Sequence, residues 1–308
     1  MKQTASWAIL SQLAKQNRRI LSDWRALLLL RKATGTLPVS ERRWEHAPDR
    51  IDAIRPLLRQ MERRGELRPL SGLSGLYEVT VPYARTGLIQ EDEILMEIHP
   101  YAAISHRSAL VFHNLTDDLP TGITAIMPSD GRAGLLPPGT DLADWESGVF
   151  IVGKTISEIL GQPIHWTRVM PTRYFGLHEY TPRGYPVRVT TPERTLVDGL
   201  QKPELCGGIA PVLRAWARGR DLLDVKSLVD YTERLEITVI KQRVGFLLEE
   251  LGFTHPSLDL WRNAMHRGGS SKLFGSVSYA STFSERWSLS INVPLDELRS
   301  ILTPLMRT

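Results

Sequence analysis

Three groups of side chains in this sequence have types and spacings that invite chemistry. They are the arginines Arg42, Arg43, Arg50, Arg55, Arg59, Arg63, Arg64 and Arg68; the carboxylates Glu193 and Asp198, with the thiol of Cys206 behind them; and the histidines His99, His106 and His113. Arginines spaced by four on a helix make a cationic row that can hold phosphates and grip guanine edges bidentately. Paired carboxylates can share a metal or a proton, but Glu193 and Asp198 are separated by about 140° around a helix at 100° per residue, so they do not share a face. The histidines recur every seven residues, which puts neighbours roughly 10 Å apart along a helix, against the spacing of four that binds zinc. Pro100 also interrupts the first interval. They read as buried or surface histidines, not as a metal site.

Enzyme signatures are missing in informative ways. There is no GxxxxGK loop, no GxSxG elbow and no HExxH. The stretch GGSSKLFGS, residues 268–276, suggests the start of a nucleotidyltransferase, yet no Asp-x-Asp pair follows to carry the metals such transfer needs. It reads as a loop entering a strand. Cys206 has neither a neighbouring base nor a basic cluster to activate it. As the lone cysteine it excludes an internal disulfide and a CxxC zinc site, which fits a reducing compartment. The chain therefore reads as a non-enzyme, with no catalytic residues, no metal and no cofactor.

The elements that must position the arginines come from the first quarter of the chain. With 308 residues, 42% hydrophobic and 23% charged, two or three soluble domains are expected. No apolar run approaches the roughly 18 residues of a membrane span, and the N-terminus lacks the pattern of a signal peptide. A cytoplasmic location without membrane association is the expectation. Residues 1–83 carry 15 Lys and Arg against 8 Asp and Glu, while the rest is slightly acidic. Such asymmetry points to a polyanion as partner of the N-terminal part.

Residues 4–18 predict an amphipathic helix, taken as an N-terminal extension spanning 1–21. Ser22 or Asp23 can cap a second helix that Gly35 ends, and SERRWEHA, residues 40–47, predicts a short third one. In DRIDAIRPLLRQMERRG, Ile51, Ile54, Leu57, Leu58 and Met61 share one helical face. Arg55, Arg59 and Arg63 line the opposite one. Pro56 is tolerable if Asp52 is the cap and the regular helix begins near Ala53. Gly65 closes it, and residues 66–81 predict a hairpin around a Ser/Gly turn. Helices followed by a hairpin are the order of a winged helix-turn-helix, assigned to 22–83. Its second helix would enter the major groove of double-stranded DNA. A solvated charged face, balanced by Asp52 and Glu62, is the competing explanation.

Residues 84–308 mix helices with short strands, with a sub-boundary near 191, so the fold class is α+β: an N-terminal winged helix-turn-helix and a larger mixed α/β C-terminal domain. GITAIM, GVFIV, IHWTRVM and PVRVT read as strands, the region from Pro192 to Gly252 as successive helices, and KLFGSVSYA and RWSLSINV as a return to strands. In TTPERTLVDGLQKPELCGG, Thr191 caps, Pro192 suits the first helical position, and Glu193 favours the positive end of the dipole. Gly207 and Gly208 form a turn. These roles are structural.

VTTPERTLVDGLQKPELCGGI at 189–209, with KQRVGFLLEELG at 241–252, resembles the signature of the AbiEi antitoxin family, the antitoxin half of type IV abortive-infection systems. AAISHRSALVFHNLTDDLP is similar to the family's preceding helix, and the helical start ending in GLYEV to its N-terminal domain. The likeness covers most of residues 22–252. It implies a transcriptional repressor that binds inverted repeats upstream of its own operon, as a homodimer or cooperatively. It also implies a C-terminal domain that counteracts a nucleotidyltransferase-like toxin without a stable complex. The motifs fall on Thr191, Pro192, Glu193 and Asp198, on Gly207 and Gly208, and on Arg243 and Gly245, none with a catalytic role in the family. The helix before Ser22 is longer than the family usually has. Two other readings keep a DNA-binding N-terminus: a nucleic-acid-processing enzyme with a diverged nuclease or transferase site, and a regulator of another defence or mobile element with no toxin partner.

Overall fold

The hydroxyl of Thr4 accepts the amide of Trp7 and opens α1 (Ala5–Lys15), a cap of the kind that contributes about 1 kcal/mol. The computed structural model describes residues 2–81, 88–145, 151–264 and 270–302. Its chain forms two units, one of residues 1–102, 127–161 and 179–188, the other of residues 103–126, 162–178 and 189–308. Segment 22–83 lies wholly in the first. The protein is α+β, with 11 α-helices and three sheets among the described residues.

In the first unit α1 is followed by β1 (Ile20–Ser22), α2 (Asp23–Thr36), α3 (Ile51–Arg63), β2 (Leu67–Pro69), β3 (Leu76–Val79) and α4 (Glu91–Ile98). The three strands pair antiparallel in the order β1-β3-β2, with Leu21 opposite Tyr77 and Arg68 opposite Glu78. Ile9, Leu10 and Leu13 of α1 share one apolar cluster with Ala26, Leu29 and Leu30 of α2, Ile54, Leu58 and Met61 of α3, and Leu67 and Val79 of the hairpin. The N-terminal helix, expected as an extension, is therefore a core element. Ser22 caps α2 as expected, accepting the Arg25 amide. Gly35 does not end that helix, which runs on to Thr36 and stops at Leu37 before Pro38.

The helix expected at residues 40–47 does not form. Only a turn of 3-10 helix, Val39–Glu41, precedes an irregular segment. The backbone there is already engaged: Gln3 donates its amide to the Glu41 carbonyl at 2.7 Å and accepts that of Arg43 at 3.0 Å. Trp44 Nε1 donates to Thr34 Oγ1 at 2.7 Å, which pins the segment to α2. The two backbone bonds bridge Gln3 to Arg42 and hold Arg42 extended, with φ −119° and ψ 153°, a conformation that a helix through residues 40–47 excludes.

Buried carboxylates on α4 fasten it to β1 and α2. Glu93 Oε1 accepts the amides of Arg19 at 2.7 Å and Ile20 at 3.1 Å. Glu97 Oε1 accepts Arg18 Nη1 at 2.8 Å and Arg25 Nε, while its Oε2 accepts the Ser22 hydroxyl. Two guanidinium groups and a hydroxyl satisfy this buried charge, the condition under which one is tolerated.

The chain continues through β4 (Ala103–Ile104), α5 (His106–Phe112), β5 (Ile123–Pro128), β6 (Glu158–Ile159), β7 (Gln162–Val169), β8 (Leu177–Tyr180) and β9 (Val187–Thr190). Of the strand segments expected here, GVFIV forms no described strand: residues 146–150 lie outside the described residues, and Ile151 and Val152 are irregular. In the second unit β7, β5, β4 and β9 are successive neighbours, with β4 antiparallel to β5 (Ile104 opposite Ala125) and parallel to β9 (Ile104 opposite Val189).

Then follow α6 (Pro192–Gln201), α7 (Ile209–Gly219), α8 (Val225–Leu235), α9 (Thr238–Glu250), α10 (Pro256–Asn263), β10 (Ser271–Lys272), β11 (Phe283–Ser284), β12 (Leu289–Ser290) and α11 (Leu295–Leu302). Residues 193–200 of α6 are all buried, so this helix is the axis of the unit. Around it Leu196, Val197 and Leu200 meet Val212 and Trp216 of α7, Leu228 of α8 and Val244 and Leu247 of α9.

Candidate nucleic-acid interface

α3 presents two faces with different chemistry. Ile54, Leu58 and Met61 are at most 1% exposed, so the helix is fixed from behind by side chains that cost free energy to uncover. Arg55, Arg59, Arg63 and Arg64 are exposed on the other side. From Arg55 to Arg63 the helix rises about 12 Å, the width of a DNA major groove. The helix begins two residues earlier than expected: Arg50 is the flanking residue and makes no side-chain cap bond, and Asp52 sits inside the first turn. There its charge is favoured by the helix dipole and it accepts a hydrogen bond from Arg55 Nη1.

The arginines differ in what already holds them. Arg55 faces Asp52 and, at 3.8 Å, Asp23. Arg63 Nε reaches only the Arg59 carbonyl, at 3.4 Å. Arg59, Arg64 and Arg43 enter no ion pair among the described residues, and Arg50 has Asp49 at 3.9 Å. Arg68 is exposed on β2 but gives both Nε and Nη2 to Glu78 on β3. Its charge is thereby largely compensated within the hairpin. Arg42 is the exception in placement. Its guanidinium is buried, donates Nη1 to the Thr34 carbonyl at 3.0 Å and lies 6.0 Å from the Trp44 ring centroid. It buttresses the α2–α3 connection and cannot meet a polyanion without unpacking. Glu62, seven residues beyond Arg55 and exposed, puts one anion on the cationic face.

One cation near the hairpin was not legible in the sequence. Lys154 is exposed and its Nζ donates to the Ser74 carbonyl at 3.1 Å, at the hairpin turn. The two stand 80 positions apart, so no local spacing relates them.

The second set of singled-out residues packs the second unit. Thr191 caps α6 by accepting the Arg194 amide at 3.3 Å, and Pro192 occupies its first turn. Glu193 accepts the Asp224 amide at 3.2 Å. Asp198 Oδ1 accepts Arg194 Nε at 2.9 Å, and Arg194 Nη1 serves the carbonyls of Arg173 and Phe175. Gly207 and Gly208 take φ of 85° and 105°, the left-handed region that a side chain disfavours.

Arg243 on α9 closes the far end of α6. Its Nη1 donates to the Leu200 carbonyl at 2.8 Å and its Nε to the Lys272 carbonyl at 3.1 Å, and burial lowers the basicity of its guanidinium. A Cβ on Gly245 would lie 2.1 Å from the Trp287 ring. That ring in turn donates Nε1 to Glu249 at 2.7 Å. Burial keeps His99, His106 and His113 below their ordinary basicity and raises the Cys206 thiol. Among the described residues no three His, Cys, Asp or Glu side chains converge as metal ligands, and no helix is long and apolar enough to cross a membrane.

No family model matches the chain, and neither does any curated protein. Among solved structures, the crystal structure of the RV2827C protein from Mycobacterium tuberculosis is similar, with a TM-score of 0.53 over 98% of this chain and 96% of that one, at 16% sequence identity. At that identity the likeness speaks for the fold alone.

Proposed function

We propose that the first unit is a winged-helix domain that binds double-stranded DNA, with α3 laid in the major groove and the β2–β3 hairpin as the wing. The succession α1, β1, α2, α3, β2, β3, with the sheet order β1-β3-β2, supports this reading. On it, α1 is the first helix of the domain and α2 and α3 are the helix-turn-helix pair. The observation that carries the proposal is the exposed row Arg55, Arg59 and Arg63 on a helix whose opposite face is fully packed. Such a row matches phosphates at an edge of the groove and, where an arginine reaches the floor, guanine O6 and N7. Arg50 and Arg64 extend it at either end, Arg43 adds an exposed charge on the α2–α3 connection, and Lys154 stands by the wing. Arg68 contributes only if Glu78 releases it.

The reading extends to an autorepressor and antitoxin of the AbiEi type, acting on DNA upstream of its own operon and counteracting a nucleotidyltransferase-like toxin. What supports it is the resemblance of residues 189–209 and 241–252, in which Thr191 caps α6, Arg243 ties α9 to the end of α6 and Gly245 admits the Trp287 ring. Two experiments test the parts separately. Binding of the full chain to the duplex upstream of its gene, followed by fluorescence anisotropy across a salt series, tests the DNA reading. Co-expression with the product of the adjacent reading frame tests the antitoxin reading, and growth arrest unrelieved by this protein would leave only the repressor.

A further inference from the structure

We infer that the second unit holds a nucleotide in a pocket closed at its base by Asp198, taking a base that carries an exocyclic amine and a phosphate at the rim. The pocket has a volume of about 180 Å³. A cavity near 150 Å³ accommodates a benzene ring, so this one suits a single nucleobase, with sugar and phosphate outside it.

Asp198 is 4% exposed and lines this pocket. One carboxylate oxygen, Oδ1, is taken by Arg194, whereas Oδ2 is buried and has no hydrogen-bond partner among the described residues. A buried acceptor left without a donor is destabilising, and a ligand N–H would satisfy it. His106 also lines the pocket, buried, with Nδ1 held by the Ser105 hydroxyl at 2.9 Å. Burial keeps its ring neutral, so Nε2 can serve a ring nitrogen. Ile126 and Leu235 supply apolar wall.

The cations decide the ligand class. Arg168, Arg173 and Lys202 also line the pocket, Arg168 exposed and the other two half-buried. An ammonium driven down to Asp198 would be repelled by them and by Arg194. A neutral amine on a heterocycle is not, and an anion tethered to it is attracted. An aminopurine or aminopyrimidine bearing a phosphate meets both demands. Guanine, which presents two adjacent donors to a carboxylate, fits less well because Oδ1 is occupied.

The test is isothermal titration of the full chain with AMP, CMP, GMP and UMP, with adenosine and inorganic phosphate alone, and with a short oligoadenylate that separates a free nucleotide from a strand end. AMP or CMP should bind about 10-fold to 100-fold more tightly than UMP, the value of one hydrogen bond to a buried charge, because the single N–H of the uracil ring lies between two carbonyls that the carboxylate repels. In Asp198→Asn the amide nitrogen can replace Oδ2 towards the ligand, and the preference should turn to UMP and GMP, whose bases offer carbonyls there. Because that change also touches Arg194, Arg168→Gln combined with Lys202→Gln is the second arm. It should weaken all nucleotides together and leave the base preference intact. Absence of binding by every nucleotide, binding equal to that of phosphate alone, or a base preference unmoved by Asp198→Asn would each overturn the assignment. DNA binding by the first unit is scored with other variants and stands or falls independently.

Discussion

Replacing Arg55, Arg59 and Arg63 together by glutamine removes three exposed guanidinium groups while leaving Ile54, Leu58 and Met61 in place. Each phosphate contact contributes about 0.9 to the slope of log K against log salt on duplex DNA. Three contacts therefore account for a slope of about 2.7, and at 0.1 M salt for roughly 500-fold in affinity. Arg55 contributes less than its neighbours, because reaching a phosphate means leaving Asp52 and Asp23. The expected change in slope is thus between about 1.8 and 2.7, and Arg59→Gln alone should weaken binding more than Arg55→Gln alone. The assay is anisotropy titration of a labelled upstream duplex between 50 and 300 mM salt, with circular dichroism and a melting curve to establish that the variant is folded. A folded triple variant with unaltered affinity and slope refutes the assignment of this face. An affinity loss without a change in slope would show that the three arginines do not meet phosphates.

Further outcomes follow from other contacts. Glu62→Gln removes the anion from the arginine face and should tighten duplex binding a few-fold at low salt, an effect that fades as salt screens it; weaker binding would place the DNA elsewhere. Gly245→Ala puts a Cβ against the Trp287 ring, an overpacking that should cost about 1–3 kcal/mol and appear as a lower Tm. Glu97→Ala strands the guanidinium groups of Arg18 and Arg25, the first already lowered to about 10 by burial and by its cationic neighbour. A loss of about 3–5 kcal/mol is expected, measured by urea unfolding. Burial lowers His99 from 6.5 to about 4, so between those values the unfolded chain takes up a proton that the folded chain does not. Stability from this group is complete above about pH 6.5 and declines towards pH 4, by about 3 kcal/mol at 1.36 kcal/mol per unit. Urea midpoints at pH 7.5 and 4.5 measure it, and the difference should shrink in His99→Gln.

What the sequence revealed follows the range of the forces involved. α3 was legible because its apolar and cationic residues alternate at helical period within one segment, and burial of Ile54, Leu58 and Met61 follows from that period. The Thr191-Pro192-Glu193 start of α6 was legible for a similar reason, since a cap acts over three residues. Gly245 could only be noted as a motif residue, because the ring that requires it comes 42 positions later, at Trp287. The roles of α1 and of residues 40–47 are not legible in the sequence because both depend on partners distant in the chain. β1 is three residues long and becomes a strand only by pairing with β3, Leu21 opposite Tyr77. Without that partner nothing marks it, and α1 before it looks like an appendage instead of the helix that seals the core. Conversely, Ser40–Ala47 has helical composition, but Gln3, just ahead of α1, bridges to Arg42 and holds it in extended backbone.

Asp198 is inert by local rules for a similar cause. Judged against Glu193, its nearest acidic neighbour in α6, it had no partner in chemistry, and the structure indeed sends Glu193 to the Asp224 amide instead. Its surroundings come from α5, β7 and the 3-10 turn at Pro171–Arg173, up to 92 positions away. A carboxylate half-satisfied by its own helix, through Arg194 four residues earlier, is by local rules an ordinary i, i+4 pair. Only the enclosure of Oδ2 by distant segments turns that pair into an acceptor in want of a donor. Any function that resides there is therefore carried by tertiary structure, whereas the arginine row on α3 exists as soon as the helix does.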